Sequence, residues 1–132
     1  MKRREQVKLL LEKAAQDESL LDQVLGCDRV SNEIIGFHCQ QAAEKLLKAL
    51  LTGLGATYHR THNLRLLMDL LADAGHPVRD DLQGLDELTP FGVLLRYETP
   101  PVSASLDRPR ARDMIRRLRV WVEEQLRAAP DG

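Results

Sequence analysis

Phe37-His38-Cys39-Gln40-Gln41-Ala42-Ala43-Glu44-Lys45-Leu46-Leu47-Lys48-Ala49-Leu50-Leu51 is the stretch whose reading decides the fold of this chain. At about 100° per residue, Cys39, Ala42, Ala43, Leu46, Leu47, Leu50 and Leu54 share an apolar arc of roughly 200°. That is wider than a surface helix buries, so the segment reads as the long central rod of a bundle. In the remaining arc His38 is followed by Gln41, Glu44, Lys45 and Lys48, all on one side over about three turns. Such a row suits a phosphate or the carboxylates of a partner, and it is expected to line an open, cation-rich groove.

Working outward, Ser31 is the expected N-cap of this helix, and Gly53 and Gly55 permit the left-handed turn that ends it near Leu54. Upstream, Val7, Leu9, Leu10, Leu11 and Ala14 lead through Leu20, Leu21, Val24 and Leu25 to Gly26, a first helix or a helix pair. Downstream, Thr61 or Asn63 caps a helix carrying Leu64, Leu66, Leu67, Leu70 and Leu71, which ends at Ala74-Gly75. A fourth helix is predicted from Asp80 to Arg96, with a break at Thr89-Pro90. Asp107 and Pro109 open a last helix through Met114, Ile115, Leu118, Val120, Trp121, Val122 and Leu126. No segment alternates with period two, so the fold class is all-α: an up-and-down antiparallel bundle of four to five helices. One domain is expected over residues 1–128, with 129–132 a disordered tail.

The 132 residues are 43% hydrophobic and 30% charged, the balance of a folded domain with one core. No apolar run is long enough to span a membrane and none resembles a signal peptide, which points to the cytoplasm. In that compartment Cys27 and Cys39 are expected as free thiols, Cys39 buried. Aromatic residues are 4%, too few to build a stacking platform for single-stranded bases. The net charge of −1 hides a division. Residues 66–90 set Asp69, Asp73, Asp80, Asp81, Asp86 and Glu87 against Arg79, whereas 103–120 set six arginines against Asp107 and Asp113. Either neighbouring helices complement each other, or the basic segment faces RNA or an acidic partner; Arg108, Arg112, Arg116 and Arg119 fall on one face.

The motif string Phe37 to Leu51, then Thr61-His62-Asn63-Leu64, then Leu95-Arg96-Tyr97, resembles the HEPN family, the higher eukaryote and prokaryote nucleotide-binding domains. The resemblance spans nearly the whole chain. It implies a bundle like the C-terminal domain of kanamycin nucleotidyltransferase, commonly a homodimer and often the partner of a separate minimal nucleotidyltransferase, in some cases within a toxin–antitoxin pair. The family also includes metal-independent ribonucleases whose site is an Arg followed, after four to six residues, by His. Here Pro101, Val102 and Ser103 stand at those places after Arg96, and none of them accepts a proton near neutral pH. The reading is therefore a non-catalytic nucleotide-binding or accessory protein, with ATP or GTP as ligand and no other cofactor. Its nucleotide- or phosphate-binding residues are His38, Gln41, Glu44, Lys45, Lys48, His62, Arg96 and Tyr97. A divergent ribonuclease using His62 or His38 with Arg96, and a ligand-free structural oligomer, are the alternatives.

Each of these residues also has a plainer role. Glu44 and Lys48 form an i, i+4 pair on a solvated stripe, His62 with Thr61 fixes the turn before the third helix, and Arg96 satisfies carbonyls at a helix end. His59 and His62 lack the further ligands a zinc site needs. Wide apolar coverage of the last helix around Trp121 is expected to supply dimer surface.

Overall fold

Charged residues crowd helix α1 (Lys2–Val24), and its buried positions are Ala14, Asp17, Glu18 and Leu21, an i, i+3, i+4, i+7 stripe that carries two carboxylates into the bundle. The computed structural model describes residues 2–93 and 105–129, with Val93 by its backbone alone. It is an all-α bundle, and α1 is one continuous helix rather than a pair.

Helix α2 (Asn32–Gly53) begins where the Ser31 hydroxyl accepts from the Ile34 N–H. The predicted arc is buried, Cys39, Ala42, Ala43, Leu46, Leu47 and Leu50 all at 0% exposure, and Ile35, Ala49 and Leu51 extend the burial around the rod. Every other helix packs on α2. Asp17 reaches both His38 and Lys45, and Arg3 lies by Gly55, so α1 and α2 are antiparallel. Arg108 bonds Asn32 and Leu126 meets Gly53, so α2 and the last helix, α4 (Arg108–Ala128), run the same way. Helix α3 (Leu64–Asp73) starts at Asn63, whose carboxamide oxygen accepts from the Leu66 N–H.

The fourth element departs from expectation. Asp80–Val93 is a 3-10 helix of 14 residues rather than an α-helix, and the end expected at Arg96 lies outside the described residues. Its buried leucines are Leu82, Leu85 and Leu88, with Phe91 next, a strict spacing of three that matches three residues per turn and keeps one apolar edge on the core. Pro90 falls inside it, and Gly84 and Gly92 weaken any α-helical alternative. Arg65 donates to Asp86 and to the Gln83 carbonyl and side chain, and the Leu64 N–H donates to Thr89 Oγ1, tying the element to α3. Gly36 lets it approach α2: a Cβ there would fall 2.2 Å from the Phe91 ring. Arg96 and Tyr97 lie outside the described residues, as does the expected tail beyond Ala129.

Candidate functional site

The α2 row does not line an open array of cations, because a carboxylate meets each lysine. Lys45 Nζ donates to Asp17 Oδ2 at 2.6 Å, and the same carboxylate accepts from His38 Nδ1 at 3.0 Å. On the adjoining face of the helix, Glu44 is 6% exposed and accepts from Lys48 Nζ at 2.9 Å, Gln40 Nε2 at 3.0 Å and His62 Nδ1 at 2.7 Å. Gln40 also donates to the His62 carbonyl, and its own carbonyl oxygen accepts from Gln41. Gln41 thus joins the Glu44 cluster through Gln40, and the Asp17 and Glu44 clusters lie side by side along the rod.

Burial pushes the Glu44 carboxyl up, but donation from Lys48, Gln40 and His62 outweighs it and holds the carboxyl below its usual range. With the imidazoles neutral, Asp17, Glu44, Lys45 and Lys48 sum to zero charge, so the row offers oriented hydrogen-bonding groups rather than a field that attracts anions. His62 is 61% exposed with Nδ1 committed to Glu44, which leaves the rest of the ring in solvent. Thr61, not His62, holds the turn: its hydroxyl accepts from the Asn63 N–H. Cys39, buried behind the row, has its thiol pushed up to about 12 by burial and is not a nucleophile. Asp17 and Gln40 were not foreseen as members of the row. Asp17 had a readable signal, its place on the core stripe of α1; Gln40 had none, since its partners are a distant carbonyl and a side chain on its own helix.

The basic face predicted on α4 is mostly consumed within the fold. Arg108 donates to the carbonyls of Leu25, Cys27 and Val30 and clamps the α1–α2 connection. Arg112, 5% exposed, pairs with Asp22 and Glu18, and Arg119 pairs with Glu18 and donates to the Leu11 carbonyl. The Arg112 guanidinium holds the Asp22 carboxyl below its usual range. Only Arg116 of the four is exposed, at 56%, beside Asp22. Charge complementation between helices is thus the main use of these arginines, and the complement comes chiefly from α1, with Glu87 and Asp81 taking Arg110 and Arg117.

Among the described residues no group of three or more His, Cys, Asp or Glu is placed to hold a metal, and no helix is long and apolar enough to cross a membrane. Searches of curated proteins and of solved structures return no match. The HEPN domain family model matches residues 7–126, the span that holds the core, the row and the turn before α3, and the chain belongs to the HEPN family.

Proposed function

We propose that this is a non-catalytic HEPN accessory protein, a homodimer that binds a nucleotide and partners a separate minimal nucleotidyltransferase. The charge balance of the α2 row supports this reading most directly. Metal-independent cleavage of RNA needs a cation free to meet the developing charge on phosphorus and a proton acceptor in register with it. Lys45 and Lys48 are already committed to Asp17 and Glu44, and no His follows Arg96 at the ribonuclease spacing. What the row offers is a set of half-buried donors and acceptors at His38, Gln41, Lys45 and Lys48 beside the exposed His62, suited to a base and ribose or to a polar protein face. Arg96 and Tyr97 enter the proposal through the family resemblance alone. Around Trp121 the expected dimer surface is instead core, with Leu118, Trp121 and Val122 buried, and Val120 is the exposed apolar side chain that α4 leaves for a dimer contact.

The test is calorimetric titration with ATP and with GTP, on the wild type and on Lys45→Ala, with light scattering for mass. Saturable heat that Lys45→Ala weakens supports the reading; absence of heat at millimolar nucleotide removes its ligand half. A second reading, the divergent ribonuclease, is favoured by one observation, the exposed His62 imidazole fixed through Nδ1 by a buried carboxylate. It requires metal-independent RNA cleavage that disappears in His62→Ala, and RNA left intact at high protein concentration ends it.

A further inference from the structure

At the far end of α2 from the Ser31 cap, the α2–α3 connection and the first turns of α1 border an open groove of about 470 Å³, lined by Arg3, Gln6, Thr52, Tyr58 and residues 55–57. We propose that this groove is an oxyanion site for the phosphate groups of a small ligand, separate from the α2 row and independent of its reading. None of the lining residues is acidic. Whereas Lys45, Lys48, Arg112 and Arg119 are each matched by a carboxylate, the half-buried Arg3 guanidinium and the Gln6 carboxamide have no hydrogen-bond partner among the described residues. A guanidinium presents its N–H groups as a planar fork that two phosphate oxygens fit together.

The groove is also shaped for that fork. Gly55 has φ +74°, and a Cβ at this position would fall 2.5 Å from Arg3 Nη1, so the guanidinium lies against the glycine with no side chain between. Across the groove the Tyr58 and Thr52 hydroxyls are 3.1 Å apart, and one of the two keeps its proton free for a ligand oxygen. The α2 C-terminus, whose carbonyls would repel an anion, is closed: Leu50, Leu51 and Thr52 carbonyls accept from the N–H groups of Leu54, Ala56 and Gly55. The first turn of α1 brings Lys2, Arg3 and Arg4 against Glu5 and contributes the positive end of its dipole.

The experiment is amide NMR titration of the full chain at low salt with sodium pyrophosphate and, separately, with ATP. The expected result is saturable shifts at Gly55, Thr57 and Tyr58 with pyrophosphate alone. Arg3→Ala should weaken them about tenfold, whereas Arg29→Ala, an exposed arginine on the α1–α2 connection, should leave them unchanged. Arg3 sits in the first turn of a helix, so its replacement leaves the fold intact, which the unperturbed amides of α2 will report. Shifts that appear with ATP but not pyrophosphate, shifts that Arg3→Ala retains, or an equal loss in Arg29→Ala would each overturn the site. Heat from nucleotide lost in Lys45→Ala but retained in Arg3→Ala bears on the row and not on this groove.

Discussion

Replacing Glu44 by Gln tests the network with the least change of shape. The native carboxylate is 6% exposed and accepts from three donors, Lys48, Gln40 and His62. The amide keeps one acceptor oxygen and turns an NH2 toward groups that also donate, while Lys48, 14% exposed, loses its counter-charge. Breaking one side of a buried pair costs about 3–5 kcal/mol; Lys48 keeps some water and the Tyr58 ring, and His62 is free to swing out, which brings the expected loss to about 2–3 kcal/mol at pH 7. The pH dependence follows from the direction of the shift. The native carboxyl titrates below its ordinary value of 4.5, so its stabilisation is fully present above that value and is lost as pH falls through the native one. Urea unfolding followed by the fluorescence of Trp121, the single tryptophan and 5% exposed, reads the gap between wild type and Glu44→Gln. The gap should be constant from pH 8 to about 5.5 and should close below 4.5. A loss under about 0.5 kcal/mol at neutral pH, within the range of ordinary surface substitutions, refutes the network's role, and so does a gap undiminished in acid.

Two other perturbations check the charge pairing and the core. Glu18→Gln leaves Arg119 facing a neutral amide with Glu123 at 3.6 Å, while Arg112 keeps Asp22, and should cost about 2 kcal/mol, whereas Arg112→Met removes the buried charge, leaves Glu18 with Arg119 and Asp22 with Arg116 and solvent, and should cost about half as much; the reverse order in denaturant melts would contradict the assignment. A thiol reagent at pH 8 should modify the exposed Cys27 at once and the buried Cys39 only as fast as the chain unfolds, so two thiols titrating promptly in the native protein would show the α2 core to be open.

The bundle was legible because apolar periodicity is a strong signal over two dozen residues, and α2 with its Ser31 cap lies where that signal puts it. The 3-10 helix was equally written in the chain, in Leu82, Leu85, Leu88 and Phe91 at intervals of three, but a period of three over four positions is easily absorbed into the i, i+3 and i+4 pattern of an α-helix. The row on α2 was legible as a row and illegible as a network. Helical geometry says which side chains share a face; it does not say what the neighbouring helix brings to them. Asp17 lies 28 residues from Lys45, and Glu18 lies 94 from Arg112, so the pairing that neutralises both sets of cations depends on packing and not on spacing. Of the two readings of the asymmetry between 66–90 and 103–120, complementation between helices holds, but the spacing could not say from where: Arg112, Arg116 and Arg119 find their carboxylates on α1, and Arg110 and Arg117 find theirs at Glu87 and Asp81.

Asp17 and Glu18 are adjacent on α1, yet they face different neighbours, Asp17 taking His38 and Lys45 of α2 and Glu18 taking Arg112 and Arg119 of α4. The pair therefore staples α1 to both helices at once, at the place where its buried apolar residues are Ala14 and Leu21. This couples the row to the packing of α1. A ligand that draws Lys45 away from Asp17 leaves a carboxylate 11% exposed with His38 as its remaining partner, and α1 loosens in proportion. A ligand that uses Gln41, His62 and the outward side of His38 leaves the staple intact. The first kind must offset a broken ion pair and the second need not, so a nucleotide that engages Lys45 should bind the row more weakly than its contacts alone would give.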